Sequence, residues 1–150
     1  MTTISATLAT AQARAKQANS PYQGALTPAE AAYLLQAAPG TKLVDVRTRA
    51  ELDWVGRIAG AVEIEWLTYP NMKANEHFLT HLLQQVEKEA LVLFICRSGG
   101  RSHAAATAAT QAGYTTCYNV LEGFEGDVDA HKQRNKTSGW RAAGLPWQQG

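Results

Sequence analysis

Leu91-Val92-Leu93-Phe94-Ile95-Cys96-Arg97-Ser98-Gly99-Gly100-Arg101 is an apolar run that ends in a cysteine and passes at once into a short turn rich in glycine and arginine. The alanine-rich stretch Ser102–Ala112 follows directly. This order predicts a buried strand, a tight turn and a helix, with the thiol at the turn. A sulfur at a helix N-terminus meets unpaired backbone N–H groups and the positive end of the helix dipole. Both favour thiolate over thiol, and flanking arginines act in the same direction. Gly99 and Gly100 supply the backbone freedom a loop needs to curl round one sulfur with its N–H groups pointing inward. Arg101 stands where the dipole disfavours a cation, which implies that it answers to an anion or an acidic partner.

Working outward, Thr27-Pro28-Ala29-Glu30 is a capping box with proline at the first helical position. Its helix runs through Ala31, Leu34 and Leu35 and stops at Pro39-Gly40. Lys42–Val46 is a short strand of the kind buried on both faces of a parallel sheet, and Thr48-Arg49-Ala50-Glu51 caps a short helix through Trp54. Ala61–Ile64 and Thr115–Leu121 are the other expected strands. Residues 75–89, with Phe78, Leu79, Leu82, Leu83 and Val86, form the clearest amphipathic helix, and a further helix is expected near 127–133. The tail carries Trp140 and Trp147 and reads as an ordered wrap. Strands alternating with helices indicate an α/β fold whose ligands bind at the carboxyl ends of a largely parallel sheet.

The chain has 150 residues, enough for one domain with a sizeable core. Residues 1–21 read as an N-terminal arm or helix and residues 22–150 as the domain proper. The arm and the polar stretch His131–Gly139 read as segments the core does not need. A formal net charge of +1 gives no general attraction to nucleic acid or membrane, and no stretch approaches the length of a membrane span. Two cysteines in a domain of this size are expected to be reduced, in a cytoplasmic setting. Residues 1–29 lack acidic groups but carry only Arg14 and Lys16, too few basic residues for a transit peptide.

Other chemistry-bearing residues have plainer readings. Cys117, between threonine and tyrosine in a strand, is a packing residue, with a resolving thiol as the alternative. His77 and His81 have metal-ligand spacing, but nothing nearby completes a set, so they read as solvated. His103 is either an exposed helix residue or an aid to deprotonating an acceptor. Trp54 and Trp66 line the pocket or fill the core. Neither metal nor cofactor is implied.

The segment Cys96-Arg97-Ser98-Gly99-Gly100-Arg101-Ser102 resembles the active loop of the rhodanese family of sulfurtransferases. Asp45-Val46-Arg47, Gly56-Arg57-Ile58-Ala59-Gly60-Ala61, Leu121-Glu122-Gly123-Phe124, Gly139-Trp140 and Gly144-Leu145-Pro146 extend the resemblance over roughly residues 25–147. Many members carry histidine at the position of Arg57 and proline at that of Ala59. The resemblance implies a single-domain, three-layer fold with a central, mostly parallel five-stranded sheet flanked by helices. It implies that Cys96 takes a sulfane sulfur from a small anionic donor such as thiosulfate and passes it to a thiophilic acceptor, cyanide, a thiol or a partner protein's cysteine. Arg97, Ser98, Gly99, Gly100, Arg101 and Ser102 then form the loop that binds substrate and persulfide, with Asp45 and Arg47 as its structural support. A persulfide carrier serving a dedicated partner is the alternative. A cysteine phosphatase or arsenate reductase is a further, less favoured alternative, since those related folds place five residues between cysteine and arginine and here only four intervene.

Overall fold

The apolar run becomes the middle strand of a five-stranded sheet in the computed structural model, which describes residues 3–149. In chain order the elements are α1 (Ile4–Gln17), β1 (Gly24–Leu26), α2 (Pro28–Ala37), β2 (Lys42–Asp45), α3 (Arg49–Trp54), β3 (Val62–Glu63), β4 (Leu67–Thr68), β5 (Lys73–Ala74), α4 (Phe78–Gln85), β6 (Val92–Ile95), α5 (Gly100–Gln111) and β7 (Cys117–Val120). The sheet order is β1-β7-β6-β2-β3, with every pairing parallel, and β4 and β5 form a separate antiparallel hairpin.

Alternation along β6 divides the core into two layers. Val92 and Phe94 face α4 and α5, packing with Phe78, Leu82, Ala105, Ala106 and Ala109. Leu93 and Ile95 face the opposite layer, with Ala11 of α1, Ala31 and Leu34 of α2, and Phe124 and Trp140 of the C-terminal segment. Alanines on α5 let that helix lie close to the sheet, which brings its N-terminus up to the end of β6. Both expected capping boxes form. Thr27 and Glu30 exchange bonds at the start of α2, and Thr48 and Glu51 do so at the start of α3.

Several expectations change. The N-terminal segment is tied to the core: Ala11 is fully buried, Gln12 donates to the Tyr118 hydroxyl, and Arg14 bonds both the Ala25 carbonyl and Glu30. The helix expected over 75–89 shrinks to Phe78–Gln85. Before it, the Asn75 side chain accepts the His77 N–H and donates to the Glu65 carbonyl, holding a turn. After it, Val86 is extended and buried, so its apolar side chain serves the core from outside the helix.

No helix forms near 127–133. The Asp129 carboxylate accepts the N–H groups of His131 and Gln133, and Lys132 and Asn135 have positive φ, so local side-chain bonds replace helical ones. The hairpin β4–β5 and the edge strand β1 have no counterpart in the sequence reading. The tail does wrap: Trp140 is buried, and Arg57 and Gln148 exchange backbone bonds. Among the described residues no helix is long and apolar enough to cross a membrane.

Candidate active site

Cys96 follows β6 immediately, at the carboxyl end of the sheet, and α5 begins at Gly100. Gly99 sits at the helix N-cap with φ of 114°, a conformation that L side chains rarely adopt. That turn aims the Gly99 N–H at the Cys96 sulfur, 3.1 Å away. The Ser102 hydroxyl approaches the same sulfur at 3.3 Å from the first turn of α5. Cys96 is only 1% exposed, so the loop closes almost completely round it. A sulfur held this way has the Gly99 N–H in place for negative charge before any ligand arrives, with the Ser102 hydroxyl beside it.

A second segment clamps the loop from outside. Phe124 donates its N–H to the Cys96 carbonyl at 2.8 Å, and the N–H groups of Glu125 and Gly126 both reach the Arg97 carbonyl, at 2.9 and 3.2 Å. Gly123 makes this approach possible, since a Cβ there would lie 2.5 Å from the Arg97 carbonyl and 2.6 Å from that of Cys96. The Phe124 ring rests on the Arg47 guanidinium, 4.1 Å from carbon to ring centre. Arg47 is completely buried, pairs with Asp45 at 2.7 Å and donates to the Gly56 carbonyl at 2.9 Å. The Asp45–Arg47 pair thus touches the loop through Phe124.

Arg101 is committed to Glu51, with bonds of 2.7 and 2.9 Å across two elements. Burial pushes the Glu51 carboxyl up, but the hydrogen bonds and charge of Arg101, with bonds from Thr48, prevail and hold it down at about 2. The acidic partner implied by Arg101 is therefore the same glutamate that caps α3. Arg97 is exposed and lines a cleft of about 590 Å³ beside the loop, together with Trp54, Tyr69, Met72, Arg101 and Glu125. Ser98 is half-buried and Gly100 exposed in the turn.

The remaining candidates separate cleanly. Trp54 is 72% exposed on the cleft, its ring edge-to-face with Tyr69, whereas Trp66 packs on Phe78. Cys117 is buried in β7, where desolvation pushes its thiol up to about 11. Both cysteines are free. His77 and His81 are exposed on α4 and its N-cap, and among the described residues no group of three metal-ligating side chains occurs. His103 is exposed on α5 but bonded through Nδ1 to the Tyr22 hydroxyl at 2.7 Å. The sequence reading missed Asn119, a buried amide in β7 that touches Ser102, Gly99 and Tyr22. Its only signal was a polar residue inside an otherwise buried strand.

Together these features define an α/β protein with a cradled thiol at the head of its central strand. The chain belongs to the Rhodanese-like domain family, whose pattern matches residues 27–130. An uncharacterised protein of Rickettsia conorii is 38% identical over 109 residues, spanning 71% of this chain and 81% of that one. The crystal structure of Rv0390 from M. tuberculosis superposes with a TM-score of 0.79 at 44% identity, covering 86% of this chain and 99% of that one. A solution structure of a polysulfide-sulfur transferase homodimer from Wolinella succinogenes has the same fold, with a TM-score of 0.60 at 23% identity over 95% of this chain and 89% of that one.

Proposed function

We propose that this protein is a sulfurtransferase of the reducing cytoplasm that carries a sulfane sulfur on Cys96. The observation that carries the reading is the cradle itself: a buried sulfur at the head of a strand, with the Gly99 N–H and the Ser102 hydroxyl directed at it. In the first half-reaction the Cys96 thiolate attacks the outer sulfur of an anionic donor such as thiosulfate. A Cys–S–S⁻ persulfide forms, and sulfite departs with the electron pair of the broken S–S bond. In the second half-reaction cyanide or a thiolate attacks the outer sulfur and takes it, and the bonding pair returns to Cys96. Arg97, exposed at the cleft, draws anions to the loop, and the loop N–H groups stabilise the anionic sulfur. Arg101 with Glu51, and Arg47 with Asp45, keep the loop in shape.

The test compares the wild type with Cys96→Ala for thiocyanate formation from thiosulfate and cyanide. Intact mass after thiosulfate alone should rise by one sulfur atom in the wild type only. Equal turnover by both proteins would remove Cys96 from the reaction.

The cleft favours a second reading, in which the acceptor is a thiol on a larger molecule, such as a partner protein's cysteine. Its volume of about 590 Å³ far exceeds what a small inorganic anion fills, and Trp54 and Tyr69 present large apolar surface at its rim. Under this reading Trp54→Ala weakens transfer to a peptide thiol while leaving transfer to cyanide within about twofold. Equal losses with both acceptors would count against it.

A further inference from the structure

Asn119 has no role in the chemistry described so far, yet it is almost wholly buried in β7 among apolar neighbours. An amide there is costly unless its polar atoms are bonded. Its Nδ2 faces the Gly99 carbonyl at 3.4 Å and the Tyr22 hydroxyl at 3.3 Å. A carbonyl only accepts, which fixes the amide orientation and turns Oδ1 toward Ser102. Since Oδ1 also only accepts, the 2.6 Å contact with Ser102 must use the single hydrogen of the Ser102 hydroxyl. Two other acceptors compete for that hydrogen, the Gly99 carbonyl at 3.1 Å and the Cys96 sulfur at 3.3 Å, and both are farther away. Farther out, the Tyr22 hydroxyl accepts from Asn119 and shares a 2.7 Å hydrogen bond with His103 Nδ1, whose direction the imidazole tautomer sets. A continuous polar chain therefore runs from the sulfur to the surface of α5.

We infer that Ser102 is a switchable donor to the Cys96 sulfur and that Asn119 is the positioning residue that holds the switch. With the thiol in place, Asn119 keeps the Ser102 hydrogen and the hydroxyl offers a lone pair to S–H. When the sulfur becomes anionic, at deprotonation or as the S–S bond of the persulfide breaks, the hydroxyl rotates and donates to it. Asn119 competes with the thiolate for this hydrogen, and Tyr22 and His103 steady the competing amide. The charged groups round the loop are Arg97 within it, Arg101 of α5 with Glu51 of α3, the Asp45–Arg47 pair at the end of β2, and Glu125, which lines the same cleft. All of these stay unchanged in the variants below.

The inference rests on Cys96 as the nucleophile, but its test needs no sulfur donor and so stands apart from sulfur transfer. The rate of iodoacetamide alkylation at Cys96 is measured across pH for the wild type, Asn119→Leu, Ser102→Ala and the double variant. Asn119→Leu releases the hydroxyl to the sulfur, so its profile moves to lower pH, with alkylation about three- to tenfold faster on the acid side. Ser102→Ala moves the profile the other way. In the double variant the effect of Asn119→Leu disappears, because it acts only through Ser102. Tyr22→Phe keeps the ring and removes the hydroxyl, and it shifts the profile in the direction of Asn119→Leu by a smaller amount, which tests the chain even if the leucine variant does not fold. A general packing defect does not reproduce this pattern of opposite signs and full dependence on Ser102. The inference is overturned if Asn119→Leu and Tyr22→Phe leave the profile in place or move it upward. A shift that survives without the Ser102 hydroxyl overturns it equally.

Discussion

Replacing Glu51 by glutamine tests the contact that joins α3 to the loop helix α5. The carboxyl titrates at about 2 in the folded protein against an ordinary value of 4.5. At about 1.4 kcal/mol per unit, that difference corresponds to roughly 3 kcal/mol. Side-chain exposures of 19% for Glu51 and 15% for Arg101 leave some solvent screening, which brings the expected contribution to about 2 kcal/mol. Glutamine keeps one acceptor for the α3 cap but removes the charge. Arg101 is then left uncompensated at the positive end of α5.

The sign follows from the depressed value. The stabilisation is fully present above the unfolded value near 4.5 and is lost as pH falls through the folded value near 2. Urea unfolding of Glu51→Gln at neutral pH should therefore show about 2 kcal/mol less stability than the wild type, or a melting temperature roughly 4–8 °C lower. The gap should narrow steadily as the titration moves below the unfolded value. A gap of the same size throughout the acid range would refute the reasoning, since a charge-independent packing loss does not titrate.

Three further outcomes follow from the same geometry. Arg47→Met strands the buried Asp45 carboxylate and should cost about 3–5 kcal/mol in urea unfolding, while Asp45→Asn in the same chain recovers much of the loss; a cost of the single change below about 1 kcal/mol contradicts this account. Gly123→Ala puts a methyl group against the Arg97 and Cys96 carbonyls, so it should slow alkylation of Cys96 as well as lower the melting temperature. Gly40→Ala, also at positive φ but with open space round it, should only lower the melting temperature by a smaller amount. With its thiol pushed up to about 11, Cys117 should stay unlabelled by iodoacetamide at neutral pH while Cys96 reacts, and mass spectrometry of the native protein reads this directly.

Local chemistry was legible wherever a signal is complete within a few residues. The two capping boxes involve partners three positions apart, so the starts of α2 and α3 could be read from the chain. The apolar run and the glycines after Cys96 placed the thiol at a strand-to-helix turn in the same way. The stretch 127–133 misled because its polar residues suit a helix turn and a local loop equally, and Asp129 settled the matter by bonding the backbone itself. The extent of α4 misled because Val86 continues the apolar pattern after the helix has ended.

By itself the sequence determined the α/β class, the place of Cys96 at the carboxyl end of its strand and the short interval to Arg101. All three depend on neighbouring residues, whose relative positions the covalent backbone already restricts. Only the tertiary structure decided what surrounds the thiol. Glu51 meets Arg101 across 50 positions, Phe124 closes over Arg47 and the loop, and Asn119 reaches Ser102 while Tyr22 reaches His103 across 81. Those partners come together because parallel strands with crossover helices bring distant segments to one end of the sheet. No pattern along the chain encodes that meeting, because it exists only once the two layers have packed.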